Sequence, residues 1–201
     1  MSVAPELDDF TKVYDAGAPQ VVSTTLVADL ETPVSAMLKL ADGLPNSFLL
    51  ESVEGGAVRG RYSIIGLKPD IIWRCHGDVA EINREARHDA DAFEICPQGA
   101  LDALRSLVAE SCIENMPEDL PPMAAGVVGY MSYDMVRLME NLPDNNPTEI
   151  DIPEGFFIRP TIMAIFDSVK DLFTIITPVR PSESVSAKGA YNLARERLAD
   201  I

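Results

Sequence analysis

The chain has 201 residues, 47% apolar and 24% charged, which is the balance of an ordinary globular protein with room for one large domain or two small ones. Its 32 acidic and 16 basic residues leave a net charge of −16, which repels phosphate backbones and anionic lipid and argues against nucleic-acid or membrane-surface partners. No apolar run is long enough for a bilayer and Met1-Ser2-Val3-Ala4-Pro5-Glu6 lacks a signal region, so a cytoplasmic location is expected.

The first predicted element is a helix over Glu6 to Ala16, with Leu7, Phe10, Val13 and Tyr14 at helical spacing and Gly17 as its stop. Val21 to Ala28 is rich in β-branched residues and reads as a strand. Thr32-Pro33 marks a helix start, a hydroxyl N-cap followed by proline at the first helical position. Val34, Met37, Leu38 and Ala41 are its predicted inward face, and Gly43 ends it.

Asn46 to Val53 reads as a buried strand that ends in a carboxylate and a hydroxyl. Alternation puts Leu49, Glu51 and Val53 on one face and Phe48, Leu50 and Ser52 on the other. An ionised Glu51 between apolar neighbours calls for a cation: Arg59, Arg61 or a ligand ammonium. After the Gly55-Gly56 turn, Arg59 to Gly66 is a strand whose glycines predict a bulge or a close backbone approach. Ile71–Cys75 and Val79–Ile82 are separate strands flanking the hairpin turn His76-Gly77-Asp78.

Asn83 to Ala92 reads as an exposed loop and Gln98 to Cys112 as a helix with Leu101, Leu104, Leu107 and Val108 inward. Asn115 to Pro122 holds three prolines and two acids and reads as a surface linker. Ala124 to Met131 is a strand of small residues whose Gly126 and Gly129 point to backbone approach. A short helix over Met135 to Asn141 and a long loop over Pro143 to Pro153 follow. Ile158–Phe166 and Leu172–Thr177 form a hairpin, and a last helix starts near Ser184. That helix is open at Asp200-Ile201, which predicts a longer natural polypeptide. Hairpins and unevenly spaced helices together predict an α+β fold, mostly antiparallel sheets with helices packed outside.

No catalytic constellation is legible. Both histidines lie on or beside predicted turns, no nucleophile elbow or phosphate loop is present, and the acids follow no acid/base spacing. The three cysteines, Cys75, Cys96 and Cys112, lack ligand spacing and read as buried reduced thiols. The residues alone describe a binding or regulatory module.

Five segments in order nevertheless carry a resemblance: Thr32-Pro33-Val34-Ser35, Phe48-Leu49-Leu50-Glu51-Ser52, Gly60 to Gly66, Gly126 to Asp134, and the Phe156-to-Thr177 hairpin. Together they resemble the N-terminal region of anthranilate synthase component I, a chorismate-utilising family, from about Tyr14 onward. The resemblance implies that residues 1–201 are a regulatory, tryptophan-binding region whose chorismate-binding catalytic part is absent. It implies a lyase that turns chorismate and glutamine-derived ammonia into anthranilate and pyruvate, with feedback inhibition by L-tryptophan. The matching inhibitor positions are Pro33, Glu51, Ser52 and Arg61, with Arg59 as the alternative cation; Pro33 and Glu51 stand eighteen residues apart, as in the family. Magnesium is implied for the full-length enzyme through the absent part, with no cofactor in this chain. The implied protein partner is a glutamine amidotransferase subunit, component II. Two rivals stand beside this reading: the N-terminal part of aminodeoxychorismate synthase component I, of the folate pathway, and a stand-alone amino-acid-sensing module.

Overall fold

The computed structural model describes residues 2–54, 58–143 and 150–201, and their side chains except those of 52–54, 58 and 59. In chain order come α1 (Leu7–Asp15), β1 (Gln20–Val27), α2 (Pro33–Ala41), β2 (Phe48–Glu54), β3 (Val58–His76), β4 (Val79–Asn83) and β5 (Phe93–Gly99). Then follow α3 (Ala100–Ser111), β6 (Val128–Met131), a 3₁₀ turn (Tyr133–Leu138), β7 (Gly155–Asp167), β8 (Leu172–Val179) and α4 (Ala187–Asp200). The β1–β8, β7–β8, β2–β3, β3–β4, β4–β5 and β6–β7 pairs are all antiparallel, so the α+β reading holds. The chain divides into two compact units, Met1–Lys68 with Ile113–Ala125 and Thr161–Ile201, and Pro69–Cys112 with Gly126–Pro160.

In the first unit β1 pairs with β8 and β8 with β7, while β2 pairs with the first part of β3. One face of these strands is covered by α1, α2 and α4, whose Phe10, Ala36, Tyr191 and Leu198 pack with Val22, Ile65, Leu67 and Ile175. The other face is covered by a segment without helix or strand: Ile113, Met116, Leu120 and Ala124 pack on Val21, Ile64, Met163, Ile165 and Ile176. This corrects the reading of Asn115 to Pro122 as a surface linker. Its prolines do break regular structure, but apolar residues every third or fourth position still bury one side.

In the second unit β4 pairs with β3 and β5, and β6 pairs with the start of β7. α3 lays Ala100, Ala103, Leu104 and Leu107 against Ile71, Trp73 and Cys75. Val108, predicted inward, is 49% exposed. Here a chain of ion pairs runs from half-buried Arg159 and Asp70 to exposed Glu110 and Arg84. Arg159 grips Asp70 with Nε and Nη2, both at 2.8 Å, and its Nη1 lies 3.6 Å from Glu110. Glu110 in turn accepts Arg84 at 2.9 and 3.0 Å.

Three further readings need correction. Segments 59–66 and 71–75 are parts of one nineteen-residue strand, because Leu67 is buried and the Lys68 carbonyl accepts the Thr161 hydroxyl at 2.6 Å. β5 is a strand that the sequence reading missed: Pro97 interrupts its donors and most of its side chains are exposed, so no clean alternation marks it. The small-residue strand is shorter than predicted, since Gly126 at φ +130° turns the chain before β6 begins. Of the cysteines only Cys75 is buried, its thiol pKa raised mainly by that burial; Cys96 is half-buried and Cys112 exposed. Among the described residues no helix is long and apolar enough to cross a membrane.

Candidate functional site

The helix start at Thr32-Pro33 forms as its residue types dictate. Thr32 Oγ1 accepts the Ser35 N–H at 3.1 Å, and Ser35 Oγ accepts the Thr32 N–H at 2.9 Å. Two amides left over at the helix end are thereby satisfied, and Pro33, at the first position, has none to offer. Ser35 Oγ also donates to Glu31 at 2.7 Å, and Glu31 pairs with Lys39. The N-terminus of α2 is therefore fixed by its own side chains, with Pro33 half-buried.

The helix ends as read, with Asp42 and Gly43 both at positive φ. Its inward face differs. Ala36 and Ala41 are buried and Met37 and Leu40 pack beside them, whereas Val34 is 51% and Leu38 72% exposed. An apolar side chain at helical spacing names a stripe but not which edge of the stripe meets the sheet.

β2 lies beside α2 and pairs with β3 in the register Phe48↔Gly66, Leu49↔Ile65, Leu50↔Ile64 and Glu51↔Ser63. Leu49 joins the helix-covered core and Phe48 the opposite one, as alternation requires. Gly66 is needed at its place: a Cβ there would overlap the Phe48 ring that lies across it. The bulge expected from the glycines is also present. Between Glu51/Ser63 and Val53/Arg59 the register shifts, so that Gly60-Arg61-Tyr62 faces the single residue Ser52.

Glu51 is exposed, not buried, and Leu50 is 41% exposed. That corrects the buried-strand reading and removes the predicted cost of an uncompensated charge. The side chains of Ser52 and Arg59 lie outside the described residues.

Arg61 projects from the bulge to an unforeseen partner. Its Nε and Nη2 donate to the two oxygens of Asp167 at 2.9 and 2.7 Å, and its guanidinium lies 4.9 Å from the Tyr62 ring centre. Asp167 is buried at the end of β7 and also accepts the Val169 and Lys170 amides at 3.1 and 3.3 Å. The Arg61 fork first, then those amides, hold its carboxyl down to about 2 despite the opposing effect of burial. The two partners stand 106 residues apart, so no local pattern in the sequence pairs them. Arg61 is 43% exposed, and with Nε and Nη2 committed, Nη1 is the nitrogen left to meet a ligand.

Of the proposed positions, Pro33 starts the helix beside β2, Glu51 sits on β2, and Arg61 lies in the bulge of its partner strand. Among the described residues no three His, Cys, Asp or Glu side chains come together as a metal site. An exposed carboxylate, a half-exposed guanidinium and nearby apolar side chains can bind a zwitterion with an apolar body.

No family model matches the chain. The fold has a solved counterpart: the crystal structure of anthranilate synthase component I from Streptococcus pneumoniae TIGR4 superposes on 87% of this chain and 35% of that one, with a TM-score of 0.52 at 19% identity. Sequence carries the assignment further. Anthranilate synthase component 1 of Cereibacter sphaeroides is 50% identical over 96% of this chain and 38% of that protein. The protein of the same name from Thermus thermophilus is 41% identical over 82% of this chain and 33% of its own length, and that from Synechocystis 34% over 99% and 39%. The chain belongs to the anthranilate synthase component 1 family as its N-terminal region, and spans less than two fifths of the length of these relatives.

Proposed function

We propose that this chain is the inhibitor-holding part of an anthranilate synthase component I, and that L-tryptophan binds along β2 beside the start of α2. One observation carries the reading: the Leu-Leu-Glu-Ser strand presents an exposed Glu51 next to a bulge that displays Arg61. In this reading Glu51 meets the ligand ammonium, and Nη1 of Arg61, steadied by Asp167, meets its carboxylate. Pro33 and nearby aliphatic side chains pack the indole, and Ser52 supplies a short polar contact.

Exposed Leu30, Val34 and Leu38, at 90%, 51% and 72%, support a covering partner over this side of α2. We assign that role to the C-terminal portion that the longer relatives possess. The same portion would bring the chorismate- and magnesium-binding residues and much of the glutamine amidotransferase contact, so this chain alone forms no anthranilate and binds tryptophan weakly. Inhibition then follows from linkage, because a ligand gripped by both parts favours one placement of them over the catalytic one.

The test is an enzyme in which this chain replaces the matching region of the Cereibacter sphaeroides protein. Anthranilate formation from chorismate and ammonia should fall as tryptophan is added, and Ser52→Phe should remove that inhibition while most activity stays. Inhibition untouched by Ser52→Phe would refute the site.

A further inference from the structure

A second cavity lies away from this site. It measures about 510 Å³ and is lined by α1, the start of β1 and the 115–120 segment, all in the first unit; none of Pro33, Glu51 and Arg61 lines it. One wall is the N-terminal strand piece, held by the reciprocal Ala4–Ser23 backbone pair at 2.8 and 2.9 Å. Pro5, Val13, Pro19, Val21, Pro117 and Leu120 make its apolar surface. Three of these are prolines and the others are aliphatic, so the walls are stiff and donate no side-chain hydrogen bond.

The charged side chains in this cavity are of one sign, Asp9 and Asp119, beside the neutral Gln20, Ser23 and Asn115. Gln20 is 7% exposed, and its Nε2 donates to the Phe10 carbonyl at 2.8 Å. That bond uses one of the two N–H donors of the amide, which leaves its carbonyl oxygen and one N–H. Asp9, Asn115 and Asp119 line the same space, and no lysine or arginine does among the described residues. Asp9 is already drawn to Lys12 at 2.7 Å, which leaves Asp119 as the charge to satisfy. An apolar chamber within the usual volume of small-molecule sites, with acceptors and negative charge at its polar side, selects a particular ligand chemistry.

We propose that this cavity binds a primary amine carrying an apolar body of about the size of a phenyl ring. The ammonium has three N–H donors, matched by Gln20 Oε1, the Asp119 carboxylate and the Asn115 side-chain carbonyl, and the body fills the proline-lined part. Anions of the same size are rejected by Asp119 and by the strongly negative chain. The proposal is independent of the tryptophan reading, because it uses different residues.

Calorimetric titration of this chain with 2-phenylethylamine tests it, with 3-phenylpropionate as the anionic control. The amine should bind saturably at one site in the millimolar range or tighter, and the anion at least about tenfold more weakly. Asp119 is exposed, so Asp119→Asn leaves the fold intact and should weaken the amine about tenfold. Val13→Trp, at a half-buried position on α1, should fill the chamber and abolish binding, and an unchanged thermal midpoint will show that it still folds. Excess L-tryptophan should not displace the amine. Absence of saturable binding, equal binding of amine and anion, indifference to both substitutions, or displacement by tryptophan would each overturn the proposal.

Discussion

The Arg61–Asp167 pair predicts a pH-dependent loss of stability in Asp167→Asn. The carboxyl falls from an ordinary value of 3.8 to about 2, which at about 1.36 kcal/mol per pH unit amounts to about 2.4 kcal/mol. Arg61 is 43% exposed, so water screens part of the attraction, and about 1–2 kcal/mol at pH 7 is the expected effect. The sign follows from the lowered folded pKa. The contribution is full above the unfolded value, and it fades as pH falls through 3.8 toward 2. Urea unfolding of wild type and Asp167→Asn at several pH values measures the difference directly, and comparing the two cancels the titration of the many other acids. The gap should shrink to near zero by the acid end of the series. A gap that stays constant with pH, or one absent at pH 7, would refute the charged fork as what holds Arg61.

Gly129→Ala should cost about 2–3 kcal/mol in the same assay, because its Cβ would run into the Phe156 carbonyl and the Phe157 Cα, which are backbone and cannot yield. Gly66→Ala should cost less, about 1 kcal/mol, since the Phe48 ring in its way can swing aside; equal losses would contradict this contrast. Thr32→Ala should remove about 1 kcal/mol and speed hydrogen exchange at the Ser35 amide that Thr32 caps. Arg159→Ala should cost about 2 kcal/mol by leaving Asp70 without its fork, and Asp70→Asn with Arg159→Ala should restore part of it. Sedimentation at rising concentration should show self-association through Leu30, Val34 and Leu38, reduced in Leu30→Ser with Leu38→Ser; a clean monomer would contradict an unpartnered apolar face.

What was legible in the sequence was local chemistry. Thr32-Pro33 named a capped helix start, Gly77-Asp78 a two-residue hairpin, and Gly60 and Gly66 a bulge and a close contact, all of which the backbone shows. Each depends on residues within a few positions of one another. What was not legible depends on distant partners. Glu51 is exposed because of how β2 is placed in its sheet, and alternation along one strand does not report that. Arg61 turns to Asp167 across 106 residues, and Lys68-Pro69 stays within β3 because Thr161 holds it there. The segment from Ile113 to Ala125 had a signal that prolines masked, namely Ile113, Met116, Leu120 and Ala124 at intervals of three or four. The candidate site itself was legible only through the resemblance, since its residue types follow no catalytic or metal spacing.

The most direct test of the account is tryptophan inhibition in the enzyme that joins this chain to the C-terminal portion of the Cereibacter sphaeroides protein. Anthranilate formation should be suppressed by L-tryptophan, and Glu51→Gln and Ser52→Phe should each relieve that suppression without a matching loss of turnover. An active enzyme that ignores tryptophan, or one whose inhibition survives both substitutions, would contradict a tryptophan site on β2.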